Sequence, residues 1–323
     1  MCFFRKRKNK QKAQEQNETP AAVKNEQSAR IDDQPIVLQQ DLSQDPLRPG
    51  GPFLIQMFMK QSCALPSKER VAEVTSAHLG EVEVYFHKED NAGIAAKDFA
   101  TESEGKMVPS MLGMFSYEKP ADFSLDVLTT SQFWDNRGGE SIIAECSHIV
   151  GASVMMCLID DPKKKAALLT GYTLALMELF PDCEAVLFQS SGKLLTREQI
   201  LERKDDPYLF IYIGVNARFF NIQDTEDMMV DTLGMSTLFL PDVQMHFHGA
   251  DHNAVINHAY NIAIYLFENG DVIDDGETVD GLNVDMKLDR NVQWRCQHED
   301  ALIQPVRLVL DVNMGEYASG KRE

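Results

Sequence analysis

The sequence predicts an α+β fold with mixed, largely antiparallel sheets and packed helices. Helical and strand segments alternate without a regular βαβ repeat, and the last apolar segments are short and hairpin-like. The chain has 323 residues, of which 44% are hydrophobic, so it can bury a full core. Gly-Met, five residues and Pro recur at Gly113 and Gly234, which suggests two related halves.

Composition divides the chain into three parts. Residues 1–50 are predicted to form a disordered basic and polar tail, because they lack apolar periodicity and residues 1–30 hold eight Lys/Arg against three Asp/Glu. The globular part is predicted to contain an N-terminal α+β half, 51–205, and a C-terminal α+β half, 206–323. Two functions remain open for the tail, a solubilising role and a weak contact with anionic membrane.

The N-terminal half begins with a buried strand, "FLIQMFM", and a helix, "PSKERVAEVTSAHLG", that opens at Ser67 and closes at Gly80. "EVEVYFH" alternates as a strand does, and "MVPSMLGMFSYEKP" predicts one or two more strands. "HIVGASVMMCLID" predicts a core strand, followed by the helix "KKKAALLTGYTLALMELFP". "EAVLFQ" predicts a strand, and "TREQILERK" predicts a short helix capped by Thr196.

The C-terminal half begins with "YLFIYIGVNARFF", which predicts a long strand, and "TEDMMVDTLGMSTLFL", which predicts partly helical structure. "DVQMHF" predicts a strand, and "HNAVINHAYNIAIYLFENG" predicts a helix that ends at Gly270. "DVIDDGETV", "VQWRCQH" and "VRLVLDV" predict strands that close the fold in antiparallel pairs.

Charge and cysteine usage narrow the class of protein. A net charge of −19 argues against nucleic-acid binding, which needs a basic face, and favours a cationic protein partner. The six cysteines form no Cys-x-x-Cys pair, as expected for a reducing cytoplasm. Apolar runs are shorter than the ~18 residues of a membrane span, so we expect no stable membrane insertion.

The stretch "QMHFHGADHNAV" is a candidate metal site. His246 and His248 share one face of the predicted strand, and Asp251 and His252 stand at the start of the following helix, where a metallo-hydrolase would place its ligands. The spacing, His-x-His-x-x-Asp-His, is one residue longer than the usual signature, and helix capping alone explains Asp251. A metal-dependent hydrolase therefore remains the alternative, and no cofactor is predicted.

Three other motifs favour structural roles. The acidic stretch "GDVIDDGETVDGLNVD" lacks the bidentate acid of a calcium loop, whereas Asp275-Gly276 is typical of a hairpin turn. "SSGKLLT" lacks the leading Gly of a phosphate loop and predicts a polar turn. Cys146 and His148 are two residues apart on one strand, so we expect them to be neighbours on a face and not a catalytic pair.

"TLGMSTLFLPDVQM" and "YLFENGDVIDDGETVDG" together resemble a bacterial family, domain of unknown function 4261. The family's structural motif falls on Thr232, Gly234, Pro241, Asp275, Gly276 and Thr278. The resemblance extends from about Phe53 to the C-terminus and is strongest from Gly151. It implies no catalytic residues, and it is compatible with an acidic, immunity-type inhibitor.

These observations lead to one expectation and one alternative. We expect a non-catalytic, cytoplasmic binding or regulatory protein with a cationic protein partner, of which an immunity protein is the concrete version. The alternative is the hydrolase that would use His246, His248, Asp251 and His252.

Overall fold

The computed structural model describes residues 49–320 and shows an α+β fold with two sheets. The predicted disordered tail, 1–50, lies outside the described residues except for its last two. Seven α-helices and thirteen strands occur within the described range. The predicted fold class is confirmed.

The first sheet has seven strands in the order β2-β3-β4-β5-β1-β6-β7, and every neighbouring pair is antiparallel. β1 lies in the interior of the sheet, between β5 and β6, because it carries apolar residues on both faces. The strands are β1 (Leu54–Met59), β2 (Val82–His87), β3 (Asn91–Ser103), β4 (Lys106–Glu118), β5 (His148–Met156), β6 (Cys183–Phe188) and β7 (Lys193–Thr196).

The second sheet has six strands in the order β11-β12-β13-β10-β9-β8. Its pairs are antiparallel except β10 with β13, which run parallel. The strands are β8 (Asn216–Asn221), β9 (Met228–Leu233), β10 (Asp242–Phe247), β11 (Thr278–Leu282), β12 (Leu288–Asp300) and β13 (Leu308–Asn313).

The helices begin where the sequence supplies caps. Ser67, Asp161, Thr196 and Asp251 each accept a hydrogen bond from a backbone N–H in the first turn that follows. The helices are α1 (Lys68–Leu79), α2 (Val127–Thr130), α3 (Gly139–Glu145), α4 (Pro162–Leu179), α5 (Arg197–Glu202), α6 (Leu209–Gly214) and α7 (His252–Asn269). Within residues 49–320, no helix has both the length and the apolar character that a bilayer span requires.

One hydrophobic core connects the two sheets. Helix α4 packs against α1, and it also contacts α6 and α7, while α7 lies on strands β8, β9 and β10. The inner face of the first sheet and the apolar face of the second therefore belong to the same cluster, which includes Met57, Leu112, Val243 and Met245. A smaller cluster on the outer face of the first sheet packs around Phe58 under the segment that carries α2 and α3.

Four parts of the prediction are wrong or incomplete. "YLFIYIGVNARFF" forms helix α6 and then β8, so its first half is not a strand. "TEDMMVDTLGMSTLFL" forms strand β9 and a 3₁₀ turn, Met235–Leu238, with no α-helix. The long strand β3 was not predicted. Asp275-Gly276 lies in a turn before β11, but the segment preceding it is not a strand, so it does not connect a hairpin.

The two Gly-Met segments take different structures. Gly113 lies within strand β4, whereas Gly234 has a φ of +129° and precedes the 3₁₀ turn. The shared letters therefore do not mark equivalent positions in the two sheets.

Candidate functional site

The two strand histidines of the predicted metal cluster contact different side chains. His246 lies in β10 and is 2% exposed, with its Nε2 3.4 Å from the Oδ2 of Asp227. His248 is exposed beyond the strand, and its Nδ1 lies 3.0 Å from the Oγ of Ser319. The two imidazoles thus contact different partners, and these partners are joined because Ser319 Oγ donates to Asp227 Oδ1 at 2.8 Å.

The two helix-start residues of that cluster have structural roles. Asp251 caps α7 by accepting a hydrogen bond of 2.9 Å from the Ala254 N–H. His252 stacks on Phe219 with ring centroids 4.9 Å apart. In the described range, no group of three or more His, Cys, Asp or Glu side chains is arranged to hold a metal ion. The four side chains therefore do not form one ligand set in this structure.

The Thr232–Asp242 part of the sequence motif encloses a buried carboxylate. Thr232 Oγ1 donates to Asp242 Oδ1 at 3.0 Å and accepts from the Val243 N–H at 2.9 Å. Gly234 takes a φ of +129°, and its N–H points to Asp242 Oδ2 at 3.4 Å. Pro241 leads directly into β10. These residues join β9 to β10 around Asp242.

Two arginines neutralise the carboxylates at this position. Arg218 donates to both oxygens of Asp231, at 2.8 and 2.6 Å. Arg307 donates to Asp231 at 2.8 Å and to Asp242 at 3.1 Å. Complete burial raises the pKa of Asp242, and Arg307 together with the surrounding hydrogen bonds opposes that rise. The network is charge-balanced and holds the sheet together.

The polar face of β10 is covered, although it alternates like a solvent-facing strand. Gln244 donates to Glu299 at 2.8 Å and to Asp311 at 3.1 Å, and it accepts from the Leu302 N–H at 2.8 Å. The Ser319 N–H bonds the carbonyl of His246 at 3.0 Å. The 301–307 loop and the described C-terminal residues up to Ser319 therefore close over this face.

The Asp275 turn is fixed by a histidine on β12. Asp275 Oδ1 accepts from the His298 N–H at 2.7 Å and lies 2.8 Å from its Nδ1, while Asp271 Oδ1 lies 3.0 Å from its Nε2. The hydrogen bond to Asp271 is the main reason that the pKa of His298 is raised to about 9, and Asp275 adds to it. Burial opposes ionisation of Asp275, but the bonds from His298 outweigh it and lower the pKa of Asp275.

Gly276 and Thr278 complete the turn. Gly276 has a φ of +89°, which favours glycine, and its N–H donates to the Cys296 carbonyl at 2.8 Å. Thr278 Oγ1 donates to Gln293 at 2.7 Å at the start of β11. The turn is thereby attached to β12 along its length.

This attached turn forms one wall of an open groove along α7, which we call the α7 groove. Helix α7 forms the other wall, and the β11–β12 hairpin closes it below. The groove consists of two adjoining cavities of about 350 and 610 Å³ that share His258, Asn261 and Leu288. It is the candidate functional site.

The lining of the α7 groove combines exposed apolar side chains with carboxylates. Tyr265, Val272 and Leu288 are 48%, 51% and 56% exposed, which is unusual for large apolar groups on one surface. Among the described lining residues, Lys287 is the one lysine or arginine, against four carboxylates. The carboxylates are Asp251, Glu277, Asp280 and Asp285. The groove is therefore both apolar and electronegative.

His258 lies at the floor of the α7 groove, where the two cavities meet. It is 3% exposed and packs edge-to-face on Trp294, with ring centroids 5.4 Å apart. Neither ring nitrogen makes a hydrogen bond of good geometry among the described residues, although the backbone of Asp280 lies near enough to act on the ring. Burial lowers the pKa of His258, although the backbone and carboxylate of Asp280 favour the charged form. The ring is therefore neutral near pH 7.

The groove lies in the part of the chain that carries the sequence motif. Residues 231–313 match the family model described as "Domain of unknown function (DUF4261)". The match confirms the predicted resemblance for this segment, whereas the upstream blocks lie outside it. No curated protein and no solved structure matches the chain. The DUF4261 segment runs from β9 to β13 and contains every lining residue of the α7 groove.

Two further cavities contain residues to which the sequence drew attention. His148 bonds Ser116, with Nε2 2.8 Å from Oγ, and the same hydroxyl bonds the carbonyl of Cys63. The single hydrogen of the Ser116 hydroxyl goes to the Cys63 carbonyl, so the oxygen accepts from His148. The two bonds attach the loop after β1, which carries Cys63, to β4 and β5. Cys146 is buried at the end of α3, before β5 begins at His148, so the prediction that these two residues share one strand is wrong.

Lys193, the lysine of "SSGKLLT", lies in strand β7 and is 3% exposed. Its ammonium lies 3.2 Å from the Val215 carbonyl, 3.5 Å from the Tyr260 hydroxyl and 3.4 Å from a carboxylate oxygen of Asp135. An ammonium has three hydrogens, and these three partners account for them. Lys193 therefore attaches β7 to helix α7 and to the residue that precedes β8.

Proposed function

We propose that the protein is a non-catalytic binding protein that takes a cationic segment of a partner protein into the α7 groove. The observation that supports the proposal most directly is the excess of carboxylates over the single lysine in a groove that also exposes large apolar side chains. Electronegative grooves raise the local concentration of cationic ligands and accelerate their association.

The apolar lining suits lysine and arginine in particular. Both side chains carry an aliphatic stem, which packs on apolar surface while the charged head reaches a carboxylate. Tyr265, Val272 and Leu288 would contact the stems, and Glu277 and Asp280 would face the heads. A basic segment with interspersed apolar residues therefore fits the groove better than a uniformly charged one.

We extend the proposal to an immunity-type role in the cytoplasm. The net charge of −19 suits an inhibitor of a basic toxin, since opposite charges favour rapid capture. The five described cysteines, Cys63, Cys146, Cys157, Cys183 and Cys296, are free thiols, which is compatible with a reducing compartment.

The proposal is tested by site-specific crosslinking in the source cells. A photoreactive benzoylphenylalanine replaces Leu288 in the groove or, as the control, Met107, which is 65% exposed on β4 of the other sheet. We expect position 288 to capture one basic protein through a Lys/Arg-rich peptide, and position 107 to capture none of it. Equal capture at both positions, or an acidic peptide at position 288, would contradict the proposal.

Charge neutralisation provides a second test with a matched control. The groove-neutral variant carries Glu277→Gln, Asp280→Asn and Asp285→Asn. The control variant carries Glu102→Gln, Glu140→Gln and Glu202→Gln, which remove three exposed carboxylates elsewhere. We expect the groove-neutral variant to lose the captured protein and the control variant to retain it, with binding weakened by salt in both wild type and control.

A further inference from the structure

His258 occupies a core position without the hydrogen bonds that a core histidine normally makes. On α7 it lies between Val255, Ala259 and Ile262, all of which face the hydrophobic core. A buried polar atom with no partner destabilises the free protein. The backbone of Asp280 can serve at most one ring nitrogen, so the other nitrogen, at the junction of two cavities, indicates a position that a ligand completes.

We propose that His258 is a specificity residue for one lysine or arginine of the bound segment, accepting a hydrogen bond from its head group at the floor of the groove. This inference rests on the proposed function and adds the recognised side chain and its acceptor. An imidazole that is neutral near pH 7 carries one unprotonated nitrogen, which can only accept.

The surroundings of His258 favour a cation over an anion. Asp280 lies on the opposite wall, close enough to act on the charge of the ring, and Glu277 lines the same cavity. An anionic ligand would meet both carboxylates, whereas an ammonium or guanidinium would be neutralised by them and would donate to His258. The cavity of about 350 Å³ also accommodates the stem between Tyr265 and Leu288.

The test uses a fluorescein-labelled ten-residue peptide of alternating lysine and leucine, and the same peptide with its lysines acetylated. Anisotropy titrations compare wild type, His258→Phe, His258→Gln and the control His78→Phe on α1. We expect His258→Phe to lower the affinity for the lysine peptide about tenfold or more, as for the loss of a hydrogen bond to a charged group. His258→Gln, which keeps an acceptor, should restore part of the affinity, and His78→Phe should match wild type. The acetylated peptide should bind all four proteins weakly and equally.

Thermal unfolding without peptide provides an independent readout. If the buried imidazole is unpaired, His258→Phe removes an unsatisfied polar group and should raise the Tm. A lower Tm in both His258→Phe and His258→Leu, which differ in size, would indicate that the ring nitrogens are paired in the free protein and would overturn the inference.

The two proposals fail differently. If wild type and the groove-neutral variant bind the lysine peptide equally, or neither binds it, the proposed function fails and the inference fails with it. If wild type binds, the groove-neutral variant does not, and His258→Phe binds as wild type does, only the role of His258 is overturned.

Discussion

Replacing Arg307 with leucine should destabilise the fold strongly. The guanidinium donates to Asp231 and Asp242, both fully buried, and to the carbonyls of Thr232, Ile303 and Pro305. Leucine leaves Asp242 without its counter-ion in the sheet. Removing one partner of a buried ion pair typically costs about 3–5 kcal/mol, and we expect a loss of unfolding free energy in this range.

Urea unfolding followed by circular dichroism measures this loss. The matched control is Arg70→Leu, because Arg70 also pairs with two carboxylates, Glu73 and Glu178, but all three side chains are largely exposed. Exposed pairs contribute little, so the control should unfold at almost the wild-type urea concentration.

The loss of unfolding free energy in Arg307→Leu should depend on pH through the ionisation of Asp242. Without Arg307, the folded-state pKa of Asp242 should rise further above its unfolded value, so the penalty is largest when the carboxylate is ionised. As pH falls, protonation of Asp242 relieves the penalty, and the difference between wild type and Arg307→Leu should shrink. A loss below about 1 kcal/mol at pH 7, or a difference that grows on acidification, would refute the reasoning.

Three further predictions follow from single residues. The pKa of His298 is about 9 in the fold against 6.5 ordinarily. Its ion pairs therefore stabilise the folded protein fully below about pH 6.5, and this stabilisation is lost as pH rises through 9. His298→Gln should therefore accelerate hydrogen exchange of the 271–277 amides at about pH 6 and have little effect at about pH 10. Equal effects at both pH values would contradict a stabilising role for the His298 ion pairs with Asp271 and Asp275. Gly234→Ala forces φ +129° on a residue with a Cβ that would overlap the Gly214 carbonyl, so urea unfolding should show a loss of at least about 2 kcal/mol, and a wild-type curve would disprove it. Elemental analysis of purified protein should find no stoichiometric zinc, manganese or iron that His248→Ala removes, and a bound metal lost in that variant would restore the hydrolase alternative.

Much of the helical structure follows from local signals. Caps at Ser67, Thr196 and Asp251, and the glycines that end α1 and α7, mark helix termini by chemistry that acts within one turn. The secondary structure of an apolar run is harder to predict, because burial on all sides removes the periodicity that distinguishes helix from strand. The segment containing α6 and β8 shows this: Leu209–Gly214 and Asn216–Asn221 read as one apolar run, yet they form a helix and a strand.

The candidate site was only partly accessible from sequence. The motif residues Asp275, Gly276 and Thr278 were identified, but their place in the wall of a groove depends on His298, more than twenty residues away along β12. His258 was missed, although it carried a signal: it is a polar residue on the apolar stripe of an amphipathic helix. A histidine at such a position indicates either a buried hydrogen bond or a ligand.

The sequence by itself determined the α+β class, the strong net charge and the approximate ends of helices α1, α4, α5 and α7, since composition and capping act over short distances. Only the tertiary structure decided the exposure of polar groups. Asp242, Gln244 and His246 alternate with apolar residues as on a solvent-facing strand, yet all are buried, because residues 58 to 73 positions further along the chain pack over them. The same folding leaves Tyr265, Val272 and Leu288 uncovered. Exposure depends on which distant segments meet, and no local pattern contains that information.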